Sequence, residues 1–237
     1  YDCVHCSYGS RRKTKDFLDV NTIESLVDDL IDIGCKAVYL SGGGEPTIVK
    51  GWDQFSNKLI DHGIEVALIT NGVAIKEKHL SAVRRMNYIA VSVYSTIRER
   101  YKKITESNFF EGQFSLPLSL KAESTKTIVG ARCVLNDINF DEVYLIYKEA
   151  IRSGFDYIIF IPAVDYEGRG VVLGNDELCY INESKQSRTY DYPKCVPPPP
   201  EQNLTLSPIS DENTSYYGHS LVSKLTGLYS SFTEAFK

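Results

Sequence analysis

Two cysteines three positions apart lie near the start of the chain, in Tyr1-Asp2-Cys3-Val4-His5-Cys6. A short loop at that spacing lets both sulfurs point at one atom. The pair can therefore serve as half a zinc site, a redox dithiol or part of an iron–sulfur cluster. Three further polar sets each follow an apolar run: Ser41-Gly42-Gly43-Gly44-Glu45-Pro46-Thr47, Thr70-Asn71-Gly72 and Ser92-Val93-Tyr94-Ser95. Glycines allow close backbone approach and expose peptide groups, and Glu45 can add a countercharge. Arg132 stands inside another apolar run, where a buried structural cation is one reading.

These residues must be positioned by the elements between them. Apolar residues Ile23, Leu26, Val27, Leu30, Ile31 and Ile33 share one helical face, with Asn21 as N-cap and Gly34 as stop. A short strand is expected at 37–40. Trp52, Phe55, Leu59 and Ile60 mark a second helix closed by Gly63, before a strand at 64–69. A helix at 74–85, a strand at 88–94 and a helix at 96–110 follow. The stretch 113–125 contains Pro117 and lacks a period, and reads as a loop or a frayed helix end. A strand at 126–135, a helix at 140–153 stopped by Gly154, and a strand at 157–161 complete the pattern. Strand and helix alternate about five times with short connections, which indicates a parallel sheet with right-handed crossovers. The strands read as apolar runs without alternation, as expected when both faces are covered. Sites in such folds gather at the carboxyl ends of strands, where every polar set above falls. Tyr94 and Cys133 are expected near that mouth.

Past Pro162 the character changes. Gly168, Gly170 and Gly174 interrupt the chain, and four consecutive prolines follow Cys195-Val196. A short strand at 203–206 and an amphipathic helix at 221–236 are expected in a small irregular extension. The chain opens on Tyr1 and not on Met, so its natural start is expected upstream.

The 237 residues suffice for one large domain with an appendage, and 43% hydrophobic with 24% charged residues is ordinary for a soluble globular protein. A net charge of −5 argues against general nucleic-acid binding. No apolar stretch approaches the ~20 residues of a membrane span, and no signal peptide opens the chain. The six cysteines are too sparse for a secreted disulfide scaffold, so a cytoplasmic location is expected. Cys35 and Cys133 read as small buried hydrophobes. The basic stretch Arg11, Arg12, Lys13 and Lys15 reads as a solvated loop, or as a cover for an anionic substrate.

Taken together, a cysteine loop, a Gly-Gly-Glu-Pro after the next strand and polar residues ending later strands resemble the radical S-adenosylmethionine (radical SAM) superfamily. The resemblance covers about residues 1–165. It implies an α/β fold, a partial (β/α)6 TIM-like barrel with a small irregular C-terminal extension: a core barrel at 1–165 and, at 166–237, a degenerate module similar to the SPASM/Twitch type. In this family three cysteines in C-x3-C-x2-C hold three irons of a [4Fe-4S] cluster and leave the fourth to SAM. Cys3 and Cys6 match the second and third, the first falls two residues before Tyr1, and His5 takes the aromatic position before the last. The resemblance assigns Gly43, Gly44, Glu45 and Pro46 to the SAM amino group, Asn71 and Ser92 to its methionine and ribose moieties with Ser95 assisting, and Arg132 to its carboxylate. Ile161 and Pro162 match the place where adenine packs. It implies a 5′-deoxyadenosyl radical that abstracts hydrogen from a peptide, protein or small-molecule substrate such as a sugar. It also implies an electron donor such as flavodoxin or ferredoxin. An auxiliary Fe–S cluster would have only Cys179 and Cys195 to hold it, with Ser215 to His219 where a further cysteine is expected.

Two readings of other classes compete. One is a non-catalytic zinc module on Cys3, Cys6 and His5 or more distant ligands, although no second C-x-x-C or H-x-x-H accompanies them. The other is a cluster-less relative that keeps the barrel and binds a partner. A hydrolase of the α/β type is disfavoured because no G-x-S-x-G elbow occurs.

Overall fold

The computed structural model describes residues 2–6, 8, 20–164 and 170–173. The basic stretch at 11–15, Cys179, Cys195, the proline run and the strand and helix expected in the extension lie outside the described residues. The elements run α1 (Val20–Asp32), β1 (Ala37–Leu40), α2 (Trp52–Asp61), β2 (Glu65–Thr70), α3 (Glu77–Val83), β3 (Tyr88–Ser92), α4 (Arg98–Thr105), α5 (Leu116–Lys121), β4 (Ile128–Leu135), α6 (Val143–Arg152) and β5 (Tyr157–Pro162). Short 3-10 turns stand at Pro46–Ile48, Glu111–Phe114 and Phe140–Glu142.

The five strands form one parallel sheet in the order β1-β2-β3-β4-β5. Sequential order with crossovers of one hand puts the connecting helices on the same face, as in a barrel wall. The sheet is an α/β, partial TIM-like barrel wall, and it is not closed. The face toward the helices carries the core: Val66, Leu68, Ile89, Val91, Val129, Ala131 and Cys133 are fully buried, beside Leu59 of α2 and Ile146 and Ala150 of α6. Each large apolar side chain withdrawn from water in this way contributes about 1.5–3 kcal/mol before the cost of ordering it.

The other face differs from the expectation along β4. β4 alternates, with Val129, Ala131, Cys133 and Leu135 buried while Arg132 and Val134 are half-buried. β2 and β3 keep burial on both faces, with Ala67, Tyr88 and Ala90 buried on the open side, and give way near their carboxyl ends only at Ile69 and Ser92. The stretch 113–125, expected as a loop or a frayed helix end, contains a helix of its own, α5. Pro117 lies in its first turn, where the missing N–H costs nothing, and Leu116 and Leu120 are buried. α1 begins at Val20, so Asn21 lies inside the first turn and not at its cap. The glycine stops hold: Gly34, Gly63 and Gly154 turn left-handed at φ 70°, 78° and 87°.

Candidate functional site

The carboxyl ends of the strands share one edge of the sheet, and the loop after β1 is built there around Glu45. Its Oε1 accepts from the Thr47 N–H (3.1 Å), the Thr47 hydroxyl (2.5 Å) and the Thr70 hydroxyl (2.6 Å). Its Oε2 accepts from the Asn71 N–H at 2.8 Å. Glu45 thus caps the turn Pro46–Ile48 and ties the glycine loop to the end of β2. One lone pair of Oε2 is left for a further donor. Pro46 fills the first position of that turn, leaving Gly43 and Gly44 exposed beside it.

The other strand-end residues fall in one row. Ser92 pairs directly with Arg132, and Thr70 with Val91, so Asn71 stands one step on, beside Ser92. All three are half-buried and share the open face of the sheet. The Asn71 Oδ1 accepts from the Val73 N–H at 2.9 Å in an Asx turn, which leaves its amide N–H groups without a partner among the described residues. The Arg132 guanidinium lies against a bed of phenols, bonding the Tyr39 hydroxyl and sitting near Tyr88 and Tyr157. Tyr39 and Tyr88 have ring centroids 6.5 Å apart, and Tyr88 and Tyr157 are stacked at 6.1 Å. Burial pushes all three phenols up, and the guanidinium opposes the rise. Ile161 shares the open face one step past this row, paired with Val134.

The cysteine loop docks on the end of α4 and on Tyr94, just past β3. Asp2 and Val4 donate to the carbonyls of Thr105 and Ile104 (3.1 and 2.9 Å), and the Cys6 N–H closes a turn on the Cys3 carbonyl at 3.1 Å. Cys3 packs with Tyr94, Tyr101 and Ile104, and its Sγ lies 3.9 Å from the Tyr94 hydroxyl. The His5 ring faces Tyr94 at 5.4 Å. On the other side the Tyr8 ring lies on Gly43, so close that a Cβ there would stand 2.9 Å from it. Burial raises the Cys3 thiol to about 11, partly offset by the Tyr94 hydrogen bond, and lowers His5 to about 4, so His5 is neutral at pH 7.

Several expected contributors stand elsewhere. Ser95, expected to assist, is fully buried and donates to Glu142 at 2.8 and 2.9 Å, on the scaffold side. Cys133, expected near the mouth, faces the helices, with the Asn139 amide 3.8 Å from its sulfur. Cys3, Cys6 and His5 do not form a three-ligand set, and no group of three such side chains able to hold a metal occurs among the described residues. The donor chemistry nonetheless suits a cluster in part. Two thiols share one loop, and His5 Nδ1 and Asn136 Nδ2 are buried without a partner among the described residues. Asn136 begins the turn whose Ile138 packs on the Cys3–Tyr94 group.

The family model described as "Radical SAM superfamily" matches residues 1–169. The chain belongs to the radical SAM superfamily. Members of this enzyme class use a [4Fe-4S] cluster and SAM. A curated relative, GTP 3′,8-cyclase of Helicobacter pylori (strain HPAG1), is 29% identical over 157 residues, covering 62% of this chain and 47% of that protein. Among solved structures, anSMEcpe with bound AdoMet and a Kp18Cys peptide has TM-score 0.62 at 18% identity, covering 77% of this chain and 54% of that one. Streptococcus suis SuiB bound to its precursor peptide SuiA has TM-score 0.61 at 15% identity, covering 78% and 42%. The radical SAM chain spans about half the length of these relatives. No helix among the described residues is long and apolar enough to cross a membrane.

Sequence reasoning passed over Tyr8, Gln113, Asn139 and Glu142. Thr47 and Thr70 lay inside sets already singled out but were given no role. Glu142 carried no signal. It receives Ser95, the Thr96 N–H (2.9 Å), the Thr96 hydroxyl (2.8 Å) and Arg100 (3.2 Å), and only the fold brings these partners to it.

Proposed function

We propose that this protein reductively cleaves SAM at a [4Fe-4S] cluster and abstracts hydrogen from a peptide, protein or small-molecule substrate. The observation that carries the reading is the convergence of the C-x-x-C loop, the glycine loop and the Asn71–Ser92–Arg132 row on one edge of the sheet, with Tyr8 of the cysteine loop lying on Gly43. Cys3 and Cys6 would hold the cluster with a third cysteine upstream of Tyr1. When bound, the reduced cluster supplies the electron that breaks the sulfonium C–S bond of SAM and yields a 5′-deoxyadenosyl radical.

The chain's own residues bind and orient. Gly43 and Gly44 let the SAM amino group approach the backbone, Pro46 fixes the turn beside it, and the remaining lone pair of Glu45 Oε2 accepts from the ammonium. Asn71 presents its amide N–H groups and Ser92 its hydroxyl to the methionine and ribose parts. Arg132 meets the carboxylate from its phenol bed. His5 offers a neutral ring face, as burial keeps it uncharged. A peptide substrate is supported by the peptides bound to anSMEcpe and SuiB, and a small molecule by the name of the cyclase relative. A one-electron donor such as flavodoxin or ferredoxin and a cytoplasmic location complete the reading, since a low-potential cluster needs reducing surroundings.

The test is anaerobic reconstitution of the full-length protein with iron and sulfide. About four irons per chain, an EPR signal of the reduced protein perturbed by SAM, and reductant-dependent 5′-deoxyadenosine are expected. Cys3→Ala and Cys6→Ala should lose the iron. Bound zinc with no SAM cleavage would overturn the reading.

A further inference from the structure

Tyr94 is held more tightly than packing alone requires. Its N–H donates to the Gln113 Oε1 at 3.0 Å, and its carbonyl accepts from the Asn139 Nδ2 at 2.8 Å. Both amides are essentially sealed from water, Gln113 at 1% and Asn139 at 0% exposure. Each is anchored in turn. The Gln113 Nε2 also donates to the carbonyls of Ser95 (2.9 Å) and Phe110 (3.1 Å). The Asn139 Nδ2 also reaches the Val134 carbonyl (3.1 Å), and its Oδ1 accepts from the Asn136 N–H (2.8 Å). Two buried amides thus fix both backbone groups of one residue just past the end of β3. A buried amide left unpaired costs about 1–3 kcal/mol, so this clamp holds in place the backbone from which the ring projects.

What the clamp aims is the cysteine loop. The Tyr94 ring is the surface on which His5 lies and against which Cys3 packs, with Tyr101 edge-on behind it at 6.1 Å. The hydroxyl ends 3.9 Å from the Cys3 sulfur. A thiol can donate to that oxygen. A ligating thiolate has no proton, and the hydroxyl must then rotate to donate to it. Hydrogen bonds to the sulfurs of an iron–sulfur cluster raise its reduction potential, and such outer partners orient the ligands as well.

We propose that Tyr94, clamped by Gln113 and Asn139, is a positioning residue that seats the Cys3 thiolate and raises the reduction potential of the cluster by donating its hydroxyl proton to that sulfur. The proposal rests on the reading of Cys3 as a cluster ligand.

The experiment is a redox titration of the reconstituted full-length protein, followed by EPR, for the wild type, Tyr94→Phe and Gln113→Leu. Tyr94→Phe keeps the ring and removes only the hydroxyl, so iron content and melting should match the wild type. Poised at the wild-type midpoint, its reduced-to-oxidised ratio should fall roughly tenfold, equivalent to about 59 mV for a one-electron couple. Gln113→Leu should shift the midpoint in the same direction and broaden the EPR signal, because the backbone that carries the ring is no longer fixed. An unchanged midpoint in Tyr94→Phe with normal iron content overturns the proposal while leaving the cluster intact. A wild-type protein that takes up no cluster removes the underlying reading and the proposal with it.

Discussion

Glu45 has two demands on one carboxylate. Four protein donors already converge on it, three of them on Oε1, which leaves one lone pair on Oε2. Its first effect is therefore architectural: it decides how the loop after β1 meets the end of β2, and so where Gly43, Gly44 and Asn71 stand. Hydrogen bonds to a charged acceptor contribute about 1.5–3 kcal/mol each at most, and partial exposure reduces that here. Glu45→Ala also removes the cap of the turn Pro46–Ile48, a loss of about 1 kcal/mol. Urea denaturation of the cluster-free protein should show a loss of about 2–3 kcal/mol in all. A loss below about 0.5 kcal/mol would mean that the carboxylate serves a bound molecule and not the loop. The same accounting explains why this role was hidden in the sequence. A Gly-Gly-Glu-Pro run signals chemistry, but the hydroxyl of Thr70 reaches Glu45 from 25 residues away.

At the level of elements, the apolar runs and glycine stops located all five strands and five of the six helices within a few residues. The exception, α5, was read as a loop or a frayed helix end because its six residues are too short to show a period, and its Pro117 sits in the first turn, where a proline breaks nothing. The second misreading concerned faces. Runs such as Ile128–Leu135 look uniformly apolar, yet Gly130 and Arg132 share the open side with Tyr88 and Ser92, and only register shows it. Gly130 is there because Tyr157 of β5 leans across it; an added Cβ would stand 2.5 Å from the Tyr157 ring carbon and 2.7 Å from its oxygen. Gly130→Ala must therefore push the phenol aside and disturb the bed of Arg132. Chemical denaturation should show a cost of about 1–3 kcal/mol. Combined with Tyr157→Leu, the second change should cost clearly less than it does alone, since the two sites share one contact. Simple additivity of the pair would show that the close approach is not what makes Gly130 matter.

Across the whole molecule, the strand–helix rhythm made the α/β class legible, and the placement of polar sets after strands made the site edge legible. The docking of the cysteine loop was not, because Cys3 and Tyr94 lie 91 positions apart and their contact depends on packing around Tyr101 and Ile104. The sequence reads Cys133 as a buried hydrophobe, and the fold bears that out while placing it on the helix face, away from the mouth. Cys133 sits at 0% exposure between sheet and helices, and burial pushes its thiol far above the ordinary range. Only the thiolate reacts, so Cys133 lacks both ionisation and access in the native state. Cys35 is half-buried, with its sulfur 3.3 Å from the Ala37 carbonyl, near the end of α1 where local fraying suffices to expose it. Alkylation of the cluster-free protein followed by peptide mass mapping should label Cys35 under native conditions. Cys133 should be labelled only as urea approaches the unfolding midpoint, with a rate that follows the global stability. If Cys133 is labelled as fast as Cys35 well below that midpoint, the sheet and helices open locally at β4, and the core does not hold this edge of the site as one unit.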